Sequence, residues 1–82
     1  MKIPLYQSVA LKKEIPDFGL KPGDIGTLID YVPHPSGGEE GCVLEVFNAI
    51  GESIAVFSVG ESEIEPLEED EVLAVRRLAK AC

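Results

Sequence analysis

The residues of this chain that could do chemistry are few and scattered. The one histidine, His34, stands between Pro33 and Pro35, and the two cysteines are Cys42, in an apolar run, and Cys82, the last residue. A nucleophile needs a base and an orienting group beside it, and zinc needs several Cys or His ligands at local spacing. Neither pattern occurs here. The sequence therefore predicts a protein that is not an enzyme and that has no catalytic residues, no metal site and no cofactor.

Acidic side chains, in contrast, are concentrated in one stretch of a chain whose net charge is −8. Residues 61–71 contain no base and seven acids, which are Glu61, Glu63, Glu65, Glu68, Glu69, Asp70 and Glu71. Such a block repels phosphate backbones and anionic lipid surfaces, so nucleic acid and membranes are not the expected partners. It fits either a solvated face that keeps a small domain soluble or a docking surface for a basic protein.

The size of the chain limits what can position these residues. Eighty-two residues form one domain, and an apolar fraction of 45% with a charged fraction of 27% is typical of globular proteins. The two cysteines do not make a stapled secreted scaffold, and Cys42 is expected to be a buried core thiol. The first residues lack the features of a secretory signal, and no apolar run reaches the ~20 residues of a membrane span. We therefore expect a single cytoplasmic domain, residues 1–82.

The clearest local element is the turn at residues 21–26. Pro22 presets φ at the second turn position and Gly23 accepts a positive φ at the third, which predicts a type II turn. Asp24 can accept backbone N–H groups near the turn, and Gly26 permits close backbone approach where the next strand begins. We interpret Pro22, Gly23, Asp24 and Gly26 as a structural corner of the fold.

Strand patterns flank this turn. Alternating or β-branched runs predict strands at residues 7–11, 27–32, 41–47 and 53–59. The last of these is apolar on both faces, which predicts the central strand of the sheet. Residues 14–20 and 33–40 are expected to be loops, and Ile15, Phe18 and Leu20 are expected to fold over one open end of the core.

The last third of the chain is ambiguous. Residues 64–67 fit a short strand or a single turn stopped by Pro66. Residues 68–80 fit a helix, with acids in the first turn and Arg76, Arg77 and Lys80 near its end, but residues 72–76 also fit a closing strand. Together, short strands joined by Gly/Pro loops predict a mostly β fold. An SH3-like open β-barrel of about five strands, with a possible short C-terminal helical turn, fits best.

Several short motifs occur in a characteristic order along the chain. They are Val9-Ala10-Leu11, Ile15-Pro16, Gly19-Leu20, residues 22–28, Leu44-Glu45-Val46-Phe47, Gly51 and residues 70–76. In this order they resemble the bacterial family called domain of unknown function 4926. The resemblance implies an SH3-like β-barrel, favours the strand over the helix at residues 72–76, and brings no activity with it. The loop at residues 33–40 departs from the family, so no site there is implied.

A broader likeness concerns the Gly-Asp-x-Gly pattern of residues 23–26. Followed by an apolar strand, it resembles the KOW segment of ribosomal and transcription-elongation barrels, which binds RNA or a protein. Basic side chains flank the turn in those proteins, whereas the only ones near it here are Lys12, Lys13 and Lys21.

Three functions follow from these patterns. The leading hypothesis is a protein-interaction module that docks on a larger protein through its acidic C-terminal third or an exposed strand edge. One version is an antitoxin- or immunity-like partner of a basic nuclease. The alternative is a KOW-like RNA-binding or nucleoprotein-binding module that uses a local basic face of Lys2, Lys12, Lys13 and Lys21. The third is an accessory subunit of a multiprotein enzyme. A homo-oligomer is also possible, because residues 53–59 could pair with a second copy if that strand lies outermost.

Overall fold

The computed structural model describes residues 2–78, which form one five-stranded β-sheet. Its five strands are β1 (Ser8–Leu11), β2 (Ile25–Val32), β3 (Gly41–Phe47), β4 (Ser53–Gly60) and β5 (Ile64–Pro66). All neighbours are antiparallel, and the order across the sheet is β4-β3-β2-β1-β5. Two 3-10 turns, Pro16–Phe18 and Glu61–Glu63, are the only helical segments in this part of the chain. The prediction of a mostly β fold is confirmed, and the sheet is open.

The core lies on one face of this sheet because the strands alternate in burial. Along β3 the side chains of Cys42, Leu44 and Val46 are buried, as their spacing predicts. Leu44 lies opposite Leu28 of β2, and neither side chain is exposed to solvent. The remaining buried apolar side chains are Val9, Ala10, Leu11, Leu20, Ala55, Val59 and Ile64.

A β-bulge in β2 attaches the N-terminal segment to the sheet. The register shifts between Leu28 and Asp30, which leaves one extra residue in β2 and turns Tyr31 toward Cys42. The Tyr31 hydroxyl donates to the Ile3 carbonyl oxygen at 2.5 Å, and the ammonium group of Lys2 lies 4.7 Å from the centre of the Tyr31 ring. These contacts hold Lys2 and Ile3 beside β2, where Ile3 and Tyr31 pack against the core.

The predicted corner at residues 21–26 is present. Gly23 has a φ of +93°, and the Asp24 N–H donates to the Lys21 carbonyl oxygen at 3.0 Å, as in a type II turn. A Cβ on Gly26 would lie 3.4 Å from the Val46 side chain, which is ordinary van der Waals contact, so the spacing of β2 and β3 does not require glycine there. Backbone hydrogen bonds from Gly23 to the Leu11 carbonyl and from the Leu11 N–H to the Asp24 carbonyl join the turn to the end of β1.

The loop at residues 14–20 covers one end of the core, as expected. Ile15 and Leu20 exchange backbone hydrogen bonds of 2.9 and 3.1 Å, which closes the loop around the 3-10 turn Pro16–Phe18. Leu20 is buried, Ile15 packs against the core, and the half-exposed ring of Phe18 stacks on Phe57 at a centroid distance of 5.6 Å.

The prediction that residues 53–59 form the central strand is wrong, because β4 is an edge strand. Its core-facing residues Ala55 and Val59 are buried, but Ile54 and Val56 point outward and are 38% and 51% exposed. The apolar side chains on the outer face of β4 remain in solvent. Apolar residues on both faces of a strand therefore do not show that it lies between two other strands.

The C-terminal segment was also predicted incorrectly, since residues 71–78 are neither the closing strand nor a helix. A single turn, closed by a hydrogen bond of 3.1 Å from the Glu71 N–H to the Glu68 carbonyl, stands where the helix was expected to begin. A short isolated helix needs an apolar face that packs on a surface. Val72 and Val75 are 90% and 93% exposed, so no such packing exists. The part of the predicted helix at residues 79–80 lies outside the described residues.

Candidate functional site

Asp24 joins three separate parts of the chain at the corner. Its carboxylate accepts the Lys21 N–H at 2.8 Å and the Arg76 Nε–H at 2.8 Å, and a second Arg76 nitrogen also donates to it. Arg76 in turn donates to the Gly19 carbonyl oxygen at 3.1 Å. The predicted structural residue Asp24 is therefore also the anchor of the C-terminal segment, a contact that spans 52 residues of sequence.

The charge of Asp24 is stabilised by these donors. Partial burial on its own would raise the pKa of Asp24, but the hydrogen bonds from Arg76 and from the Lys21 N–H, with the charges of both side chains, lower it below the ordinary value of 3.8. A carboxylate with a lowered pKa in the folded state stabilises the fold above its ordinary pKa. That contribution is lost as the pH falls through the lowered value. The Arg76 contact should therefore persist at neutral pH and fail only as the pH falls through the lowered pKa of Asp24.

This coupling predicts the result of a pH titration. In the Arg76→Gln variant we expect the pKa of Asp24 to rise relative to the wild type, because burial is then opposed by Lys21 alone. The measurement is the pH dependence of the Lys21 amide signal in two-dimensional NMR, since that N–H donates to the Asp24 carboxylate. Arg77→Gln removes the same charge from the next residue and should leave the midpoint unchanged. Equal midpoints in wild type and Arg76→Gln would contradict the contact.

The acids predicted as a docking surface fall into two groups. The first, which contacts the rest of the fold, consists of Glu61, through its backbone N–H, with Glu63 and Glu71. Glu63 accepts the Gly60 N–H at 2.8 Å and pairs with the Lys13 ammonium group at 2.8 Å. The hydrogen bond from Lys13, with that from Gly60, lowers the pKa of Glu63. The Glu71 carboxylate accepts the Glu68 N–H at 2.5 Å within the turn at residues 68–71.

Two further acids lie beside Glu61 and Glu63, although the sequence places them about twenty residues earlier. The Ser62 N–H donates to the Glu39 carboxylate, and the Glu61 N–H donates to the Glu40 carbonyl oxygen at 3.1 Å. The antiparallel pairing of β3 with β4 places the start of β3 beside the end of β4. Only a correct prediction of this strand pairing could have placed these acids together.

The second group of predicted acids is fully available to solvent. The side chains of Glu65, Glu68, Glu69 and Asp70 are exposed, and no salt bridge involves them within residues 2–78. Glu65 lies within β5, and Glu68, Glu69 and Asp70 lie on a segment with no regular secondary structure. We call these four residues the acidic segment.

The lysines considered for an RNA-binding face mostly contact acids. Lys2 lies 2.8 Å from Glu40, Lys13 lies 2.8 Å from Glu63, and Lys21 lies 3.6 Å from Glu14. A carboxylate beside an ammonium group competes with phosphate for the same charge. This arrangement does not favour a phosphate-binding surface at the corner.

The candidate chemical groups are placed apart from one another. Cys42 is buried in the core, as expected, and burial, with the nearby charges of Glu61 and other acids, raises the pKa of its thiol. His34 lies in an exposed loop, where its Nδ1 accepts the Ser36 N–H at 3.1 Å. Within residues 2–78, no group of three or more His, Cys, Asp or Glu side chains could hold a metal ion. Cys82 lies outside the described residues.

The two helical turns of the described chain are far too short to cross a membrane, and no longer apolar helix occurs in residues 2–78. No protein family, no curated protein and no solved structure matches this chain.

Proposed function

We propose that this chain is a non-catalytic protein-interaction module that binds a basic surface of a larger protein through the acidic segment. The observation that carries this proposal is the exposure of Glu65, Glu68, Glu69 and Asp70 without a basic partner in residues 2–78. Complementary charge speeds association and selects partners. An antitoxin- or immunity-like protein and an accessory subunit of an enzyme are the two roles that fit such a module.

The position of the acidic segment supports this role. Glu65 lies in β5 and pairs with β1, which fixes one end to the sheet, and Arg76 fixes the chain beyond the other end through Asp24. The segment between β5 and Arg76 makes no strand pair. A segment held at both ends loses less conformational entropy on binding than a free tail, which favours affinity.

At the level of the fold, we propose an SH3-like barrel related to the domain of unknown function 4926. The strand order β4-β3-β2-β1-β5, in which the last strand pairs with the first, supports this assignment. A bulge in β2 and a 3-10 turn before β5 also support the assignment, because such irregularities let a sheet curl into a barrel.

The test is binding to cationic surfaces by the wild type and by two charge variants. The first carries Glu65→Gln, Glu68→Gln, Glu69→Gln and Asp70→Asn. The matched control neutralises four exposed acids elsewhere, through Glu14→Gln, Asp17→Asn, Asp30→Asn and Glu52→Gln. Proteins captured from a native extract at low salt would be identified, and the affinity of each purified partner for the three proteins would be measured by calorimetry.

We expect the first variant to weaken binding at least about tenfold, and the control to weaken it much less, because local charge contacts exceed long-range ones in screened solution. Affinity should also fall as salt rises. Equal losses in the two variants, or the absence of any stoichiometric partner, would overturn the proposal.

The KOW-like alternative has its own test, which is filter binding of single-stranded RNA at about 50 mM salt. Because Lys2, Lys13 and Lys21 contact acids, we expect no measurable binding. Binding that is lost in a Lys12→Gln, Lys21→Gln variant would favour the alternative.

A further inference from the structure

The two edges of the sheet differ in how they are protected. The β5 edge has three residues, two of which are Glu65 and Pro66. Short length, charge and proline are the usual devices that keep an edge strand from pairing with another chain. The β4 edge has eight residues, contains neither charge nor proline, and has β3 as its only strand neighbour. Its one protective feature is the register shift at Ile54, the second residue of the strand.

The direction of the β4 peptide groups can be read from the ladder with β3. Gly41 lies opposite Gly60, and the next pair is hydrogen-bonded, because the Glu61 N–H donates to the Glu40 carbonyl oxygen. Hydrogen-bonded and non-hydrogen-bonded pairs alternate in an antiparallel ladder. Gly60 therefore directs its peptide group away from β3, and its N–H donates to Glu63 instead.

The same alternation identifies the open part of the edge. The register is unbroken between residues 55 and 60, so Val56 and Ser58 also direct their peptide groups away from β3. Unlike Gly60, they have no acceptor or donor outside the ladders in the described part of the chain. Val56 is 51% exposed, and Ser58 is exposed beside it. The unprotected edge is thus centred on residues 56–58.

We propose that this edge pairs antiparallel with the same edge of a second copy of the chain, which forms a twofold-symmetric dimer. With the axis beside Phe57, the outward peptide groups of Val56 in one copy meet those of Ser58 in the other. An isologous contact needs a self-complementary surface, and this arrangement satisfies both pairs of groups at once.

The uncharged edge does not suit the basic partner of the acidic segment, whereas its outward peptide groups suit a second copy. The residues of β4 are uncharged, so a basic surface would gain no ion pairs there. A second copy needs no charge there, and the acids that give each chain its net charge of −8 lie outside β4, where salt screens their repulsion. Antiparallel pairing also places the acids that follow Gly60 at opposite ends of the joined edge. The dimer leaves the acidic segment free, so the inference goes beyond the proposed function and does not depend on it.

The test compares two lysine variants that sit in one row across the sheet. Val56 and Thr27 lie on either side of Glu45 and directly opposite it, on β4 and β2 respectively. Val56→Lys puts a charge on the edge, and Thr27→Lys puts the same charge on the same face two strands inside. Each new lysine faces Glu45, a favourable cross-strand pair that should preserve folding.

Sedimentation equilibrium would measure self-association, with circular dichroism as the check on folding. We expect the wild type and Thr27→Lys to dimerise with a Kd below about 1 mM, and Val56→Lys to raise that Kd at least about tenfold. Added salt should strengthen the dimer, because it screens repulsion between like-charged chains, whereas it should weaken ionic binding by the acidic segment. A monomeric wild type, or equal dimerisation in folded Val56→Lys, would overturn the inference without affecting the proposed function.

Discussion

Replacing Leu44 by alanine is expected to lower the free energy of unfolding by about 3 kcal/mol, within the range for buried leucines. Leu44 is fully buried, lies opposite the fully buried Leu28, and belongs to the strand between β2 and β4. The cavity would open at the middle of the sheet, where few neighbours can move in. Domains of this size have a total stability of only about 5–15 kcal/mol, so the variant should be close to unfolding.

Urea denaturation followed by circular dichroism would measure this loss. The matched control is Leu73→Ala, which removes the same atoms from the C-terminal segment, where Leu73 is 67% exposed. The control should change the unfolding free energy by no more than about 0.5 kcal/mol. A comparable loss in both variants would mean that the C-terminal segment packs on the sheet in solution.

Replacing Cys42 by serine is expected to cost about 2 kcal/mol, the typical penalty for a buried hydroxyl without a partner. Cys42 is fully buried between Val59 and Tyr31 on the neighbouring strands, and the buried core of residues 2–78 contains no polar or charged residue. The ladder hydrogen bonds already occupy the nearby peptide groups, so a hydroxyl at this position has little to bond.

Cys42→Ala separates polarity from size in this prediction. Serine resembles cysteine in shape more than alanine does, so a loss of packing alone would make alanine the worse substitution. We expect the opposite order in urea denaturation, with serine at least as destabilising as alanine. A serine variant that is more stable than the alanine variant would show that the hydroxyl finds a partner in the core.

Local chemistry explains what the sequence predicted well. The corner at residues 21–26 depends on Pro22 and on the positive φ of Gly23, both of which are properties of single residues. Burial of Cys42, Leu44 and Val46 follows from period-two alternation, which is fixed by strand geometry. The closed loop at residues 14–20 likewise follows from proline and glycine at its bends.

The predictions that failed concern which partners a segment finds. The apolar sequence of β4 suits a central or an edge strand equally, and strand order alone decides between them. Residues 72–76 include β-branched side chains, but they pair with neither edge of the sheet. The bond from Arg76 to Asp24 holds this segment across the corner instead.

The sequence by itself determined the β class, the corner, the core face of β3 and the concentration of acids after Gly60, because each depends on residues near one another in the chain. The tertiary structure decided which acids remain without a basic partner, brought Glu39 and Glu40 beside Glu61, and left β4 at an unprotected edge. These features depend on contacts between segments far apart in sequence. These contacts are stabilised by strand pairing and side-chain packing between distant segments, and a local stretch of sequence does not determine which segments pair.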